Sequence, residues 1–169
     1  MKKKRFLEDI LAAQAIRTVF QPIVSLDSSE IFAYEALSRI TVPTDDMNIE
    51  KLFHIAYKQN KLWELDKLCR LKALENSCKI PENAKLFINV NPHSIQDPEF
   101  RSGFTVEKLK EYGMQADNIV IEITEHSAVL DIEGFALAIR HYQDQGFKIA
   151  IDDFGTGYSS LSVIRKLPV

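Results

Sequence analysis

Three short apolar runs constrain this chain most: Leu86 to Val90, Ile119 to Thr124 and Phe147 to Ile151, each too short for a helix and too apolar for a strand with one wet face. Such runs are expected in a parallel sheet covered on both sides. Helix-period segments separate them. Thr105 to Tyr112 is closed by Gly113, and Asp131 to Gln145, with Ile132, Phe135, Ile139 and Tyr142 inward, is closed by Gly146. Strand, helix, strand, helix, strand is the pattern of successive βαβ units, so the second half of the chain predicts an α/β fold with a parallel sheet.

The first half reads differently. Phe6, Ile10, Leu11 and Ile16 recur at helical spacing, and Thr18 to Leu26 then turns apolar and β-branched, so a helix feeds a strand. Asp27-Ser28-Ser29 supplies a turn into a second strand, Ile31 to Leu37, which makes an antiparallel hairpin. Helices are predicted over Ile49 to Asn60, with Leu52, Phe53, Ala56 and Tyr57 on one face, and over Leu62 to Lys79, ending before Pro81. No repeat, low-complexity segment or linker divides the chain, and 169 residues with 46% apolar and 27% charged content suit one soluble domain.

Charge narrows the partners. A net charge of −3 argues against a broad electrostatic grip on a DNA or RNA duplex. The basic run Met1 to Arg5 is followed by Glu8 and Asp9 where a secretory signal needs apolar residues, so it reads as a solvated tail, and no segment reaches the length of a membrane span. Cys69 and Cys78 lack CxxC spacing and are expected to be reduced thiols of a cytoplasmic protein.

Polar residues interrupt the strands at Glu35, Asn89, Glu122 and Asp152. A buried carboxylate is costly unless it is paired or bound to a cation. Alternation puts Ala33, Glu35 and Leu37 on one face of their strand, Phe87, Asn89 and Asn91 on one face of theirs, and Val120, Glu122 and Thr124 on one face of the next, while Asp152 continues the face of Ala150. If these strands are parallel neighbours, the four side chains converge at their carboxyl ends, where α/β barrels keep their active sites. Three carboxylates and an amide form an all-oxygen set suited to Mg²⁺ or Mn²⁺. Asp153 follows Asp152 and joins them only if the chain turns there, which Gly155 and Gly157 favour. Two adjacent aspartates can serve a pair of metals, an arrangement that recurs in phosphodiester hydrolysis. One acidic residue at a strand end is as readily a solvated surface charge; four in this pattern are harder to dismiss. His54, His93, His126 and His141 lack metal-ligand spacing and read as structural, and Trp63 and the tyrosines as packing residues.

At these positions the sequence resembles the EAL family of bacterial cyclic di-GMP phosphodiesterases. Phe20-Gln21-Pro22-Ile23 with Tyr34-Glu35-Ala36-Leu37-Ser38-Arg39 is similar to the family's opening hairpin and name-giving motif. Phe87-Ile88-Asn89-Val90-Asn91 is similar to its asparagine strand, Ile121-Glu122-Ile123-Thr124-Glu125 to its ExTE strand, and Asp152-Asp153-Phe154-Gly155-Thr156-Gly157 to its DDFGTG loop. The motifs occur in the family's order from about Thr18 onward.

The resemblance implies a TIM-like (β/α) barrel, with residues 1–17 as an N-terminal helix and 18–169 as barrel strands and helices. It also implies hydrolysis of one phosphodiester of cyclic di-GMP to linear pGpG, in bacterial second-messenger signalling, with Mg²⁺ or Mn²⁺. Glu35, Asn89, Glu122, Asp152 and Asp153 would bind metal, and Glu35, Asp152 and Asp153 would form the catalytic centre. Gln21, Leu37 and Arg39 would lie against the substrate, Arg39 on a phosphate, and Glu125 would hold the Asp152 to Ser159 loop. A complete barrel of this kind takes about 250 residues, so the resemblance further implies an incomplete barrel lacking the family's downstream lysine and its later glutamate and glutamine. Impaired hydrolysis and self-association through the open sheet edge, giving a homo-oligomer, are the expectations that follow. The alternative is a non-catalytic cyclic di-GMP-binding or dimerising regulatory module.

Overall fold

A computed structural model describes residues 2–43, 46–81, 83–124 and 131–153, and within them the chain forms an α/β layer structure. Helix α1 (Lys2–Ala13) leads into strands β1 (Ile16–Val24) and β2 (Ile31–Ile40). Helices α2 (Ile49–Lys58) and α3 (Leu62–Glu75) precede β3 (Lys85–Asn89); α4 (Phe104–Glu111) separates β3 from β4 (Ile119–Thr124); and α5 (Ile132–Gln143) separates β4 from β5 (Lys148–Asp152). The five strands lie in the order β1-β2-β3-β4-β5, with β1 antiparallel to β2 and every later pair parallel.

Local chemistry accounts for most of the boundaries. The hairpin turns where the Ser25 N–H donates to the Glu30 carbonyl at 2.8 Å and Ser29 takes φ 59, a conformation that short polar side chains tolerate better than bulky ones. Pro22 is accommodated in β1, which lies at the margin of the sheet among the described residues, the place where a missing N–H does least harm. The Asn48 side chain caps α2 by accepting from Lys51 N at 2.9 Å, and that of Asp131 caps α5 by accepting from Gly134 N at 2.9 Å. Gly113 and Gly146, at φ 69 and 87, follow the ends of α4 and α5 as the sequence predicts. Most boundaries shift by one or two residues from the sequence reading, α1 stops at Ala13 so that Ile16, expected on the helix, opens β1 (Ile16–Val24 in place of Thr18 to Leu26), and two more differ further. Strand β2 runs on to Ile40, carrying Ser38 and Arg39 in the sheet, and α3 stops at Glu75, with a 3₁₀ turn at Ser77–Lys79 in place of its last helical turn.

One face of the sheet is sealed by helices. Leu86, Ile88, Ile119, Ile121 and Ile123 are at most 2% exposed and cluster with Leu74, Leu109, Phe135, Ile139 and Tyr142. A second cluster joins α1, α2 and α3 through Leu7, Ile10, Leu52, Ile55, Leu65 and Leu68. The opposite face was expected to be buried as well, but in β3 its residues are only half-buried, and in β5 Ala150 and Asp152 are half-buried and Lys148 is exposed. The five described strands form an unclosed sheet, and side chains on its barrel-interior face are partly open to solvent. Ile121→Ala, in the sealed layer, is expected to cost about 2–5 kcal/mol in urea denaturation, whereas Leu26→Ala, at a site 98% exposed, should change stability by no more than about 0.5 kcal/mol.

Candidate active site

Register assembles the site. Paired residues in a parallel sheet project to the same side, and the half-open face carries Glu35 beside Phe87, Asn89 beside Glu122, Glu122 beside Ala150, and Thr124 beside Asp152. Glu35 therefore stands one side-chain step below Asn89 and Glu122, and Asp152 one step above. This diagonal is the stagger of strands that tilt in a barrel. Across its lower step Asn89 Nδ2 donates to Glu35 Oε1 at 2.9 Å. Gln21 stands opposite Glu35 on β1 and is exposed.

The strand geometry ends at Asp152. Asp153 takes φ 57 and its N–H donates to Asp152 Oδ1 at 2.7 Å, so the chain does turn here, at Asp153 itself. A cavity of about 530 Å³ opens over this end of the sheet, lined by Glu35, Leu37, Arg39, Asn89, Asp152 and Asp153 among others. Gln21 and Glu122 are not in its wall. The Arg39 guanidinium is exposed and donates to its neighbour's carbonyl, Ser38 O, at 2.9 Å, leaving further N–H groups of its fork to offer. Glu125 and the loop from Phe154 to Ser159 lie outside the described residues.

Electrostatics single out Glu122. Burial, and then the charges of Glu35, Asp152 and Asp153, push its carboxyl up to about 7. Its Oε2 is buried with no hydrogen-bond partner. An orphaned carboxylate oxygen facing like charges is what an all-oxygen cation site looks like without its positive charge. The donor set therefore fits a hard divalent cation. Among the described residues no group of three or more acidic, histidine or cysteine side chains is placed to hold a metal ion as it stands; Glu35 accepts from Asn89, and Asp152 accepts from the backbone of Asp153.

Sequence reasoning passed over helices α2 and α3, yet Phe53, Asp66 and Cys69 line the same cavity. The Cys69 thiol is pushed up to about 12, chiefly by burial, which makes it inert rather than nucleophilic. Asp66 is paired with Arg70, both 1% exposed. Their i,i+4 spacing on a largely apolar helix was the available signal.

Residues 4–169 match the EAL domain family. The chain belongs to that family. A probable cyclic di-GMP phosphodiesterase, PdeI of Escherichia coli, is 32% identical over 150 residues, covering 85% of this chain and 19% of its own length. Among solved structures, a calcium and cyclic di-GMP complex of BlrP1 from Klebsiella pneumoniae is 25% identical with a TM-score of 0.76, covering 90% of this EAL chain and 38% of that protein. The FimX EAL domain from Pseudomonas aeruginosa, bound to cyclic di-GMP, has a TM-score of 0.82 at 21% identity, covers 99% of this chain and 68% of its own, and bears on the fold alone. The chain spans about a quarter or less of the length of the curated relatives it matches. The TIM-like α/β architecture of EAL domains is thus the fold of this one, its five described strands forming an unclosed sheet. No helix among the described residues is long and apolar enough to cross a membrane.

Because Glu122 is held above its ordinary value of 4.5, the folded chain binds that proton more tightly than the unfolded chain does. Its contribution to stability is greatest below the unfolded value and is lost as pH rises through about 7. In a chelating buffer Glu122→Gln should melt higher than the parent at about pH 8, and the gap should close by about pH 5. Thermal melts at the two pH values check this; a parent that is the more stable at the higher pH contradicts it.

Proposed function

We propose that this EAL domain takes part in hydrolysing cyclic di-GMP to linear pGpG with Mg²⁺ or Mn²⁺, in second-messenger signalling in the cytoplasm of bacteria. The observation that carries the reading is the partnerless, buried Glu122 Oε2 gathered with Glu35, Asp152 and Asp153 at the strand ends, a grouping unfavourable without a cation. Two free cysteines among the described residues, Cys69 and Cys78, suit a reducing compartment.

In this reading Glu35, Asn89, Glu122, Asp152 and Asp153 hold the cations. When bound, divalent cations would lower the pKa of an attacking water and neutralise charge on the phosphoryl oxygens. Arg39 offers its free N–H groups to a phosphate of the dinucleotide at the cavity mouth, and Leu37 supplies apolar wall beneath it. The Glu35–Asn89 hydrogen bond fixes the orientation of both side chains. Water adds to phosphorus, the P–O3′ bond breaks, and the 3′ oxygen leaves as a hydroxyl, which accounts for the 5′-phosphate of pGpG. Gln21 on the adjoining strand and Glu125 in the segment after β4 belong to the same reading, as a nucleotide contact and a loop support.

Glu122→Gln should raise the Kd for Mn²⁺ about tenfold or more, since loss even of outer-shell partners of a metal acts on that scale. Arg39→Ala should raise the Kd for cyclic di-GMP by about 10- to 100-fold, the worth of a charged hydrogen bond, with Mn²⁺ affinity unchanged. Calorimetric titration of cation and nucleotide separately reads both effects. Chromatographic assay for pGpG then distinguishes a hydrolase from a receptor: binding without release of pGpG favours the non-catalytic alternative.

A further inference from the structure

We propose that Asp66, on α3, is a positioning residue for Asn89, holding the end of β3 so that the Asn89 carboxamide meets Glu35 at the level of Glu122. The inference rests on the reading of the site given above and deepens it. Its basis is a buried polar network that joins α3 to α4, α5 and the chain just past β3. Arg70 and Asp66 form an ion pair within α3 at 1% exposure each. Arg70 Nη1 also donates to Thr105 Oγ1 of α4 at 3.0 Å and to Tyr142 Oη of α5 at 2.9 Å, and the guanidinium lies 5.0 Å from the centre of the Trp63 ring. Apolar residues of similar volume often replace such a pair with no loss of stability. They cannot accept a hydrogen bond.

That is what the second oxygen of Asp66 does. Asp66 Oδ1 accepts from the N–H of Asn91 at 3.3 Å. The pairing of β2 with β3 ends at Ala36 and Ile88, and the last bond to β4 beyond the strand is from Val90 N to Glu122 O at 2.9 Å. The Asn91 N–H therefore lies past the sheet ladder, and Asp66 receives it. Asn91 Oδ1 in turn accepts from His93 N at 3.0 Å and opens the 3₁₀ turn Pro92–Gln96, so the chain just beyond Asn89 is tied to α3 at one atom and folded back at the next. Before that point, the Asn89 backbone pairs with Glu122 in the ladder and its carboxamide donates to Glu35. With Arg70 anchored to α4 and α5, the carboxylate of Asp66 transmits the position of the helix layer to the β3 end, and it borders the cavity while doing so.

The test compares two matched double variants that both remove the ion pair, Asp66→Asn/Arg70→Met and Asp66→Leu/Arg70→Met, which differ in whether an acceptor for the Asn91 N–H remains. The Asn89 side-chain amide resonances are followed by ¹⁵N NMR without metal, Mg²⁺ affinity is measured by calorimetry, and melting temperature serves as the control. The asparagine variant should keep the parent's Asn89 resonances and a Kd for Mg²⁺ within about threefold. The leucine variant should move those resonances toward free asparagine and raise the Kd about tenfold or more, the scale of outer-shell effects, at a similar melting temperature. Indistinguishable Asn89 resonances in the two variants overturn the proposal. If the parent binds no Mg²⁺, the metal reading fails, while the Asn89 resonances still decide the positioning role. If the leucine variant does not fold, amide exchange in the parent decides: protection of Asn91 equal to that of the β3 core supports the role, and exchange at the rate of an exposed loop removes it.

Discussion

The pairing of Asn89 with Glu122 across the β3–β4 ladder is the constraint on which the rest of the site depends. It fixes two oxygen donors at one level, and the barrel-type stagger of the strands then sets Glu35 one step below and Asp152 one step above. A slip of one residue in that ladder would carry Glu122 into the helix-sealed layer occupied by Ile121 and Ile123 and expose those isoleucines. The apolar layer thus enforces the polar one. Leu86, Ile88, Ile119, Ile121 and Ile123 can be buried against α3, α4 and α5 in only one register, and that register gathers the carboxylates.

Gathering them works against stability. Burial and three like charges push the Glu122 carboxyl up to about 7, and its Oε2 lacks a partner. A site of this kind persists because the surrounding packing over-determines it, and the packing here is on the helix side, where the largest buried side chains lie. The same helix layer contains the Arg70–Asp66 pair, whose contacts reach α4, α5 and the residue following β3's exit from the ladder. Helices that the hydrophobic pattern presents as plain packing elements therefore border the cavity and touch the chain beside the site.

Much of this was legible without coordinates. Alternation located Glu35, Asn89, Glu122 and Asp152 on a common face, short apolar runs gave three parallel strands, and Gly113 and Gly146 marked helix ends. Because Asp152 and Asp153 are adjacent, a turn was needed for both to reach the site, and the chain takes it at Asp153. What escaped were features without a local signature. Nothing near Asp66 announces a hydrogen bond to Asn91, since the two are joined only when α3 packs beside β3. The extension of β2 to Ile40 likewise depends on pairing with Ile16, distant in sequence.

The sequence by itself determined the element order, the sheet face on which each polar residue stands and the all-oxygen chemistry of the candidate site, because periodicity and residue type are properties of short segments. Tertiary structure alone decided the strand register, the depth at which Glu122 is buried, the charges that face it and the linkage of α3 to β3. Those depend on which segments meet across long stretches of chain. Packing of the whole helix layer settles them, and no single segment encodes it.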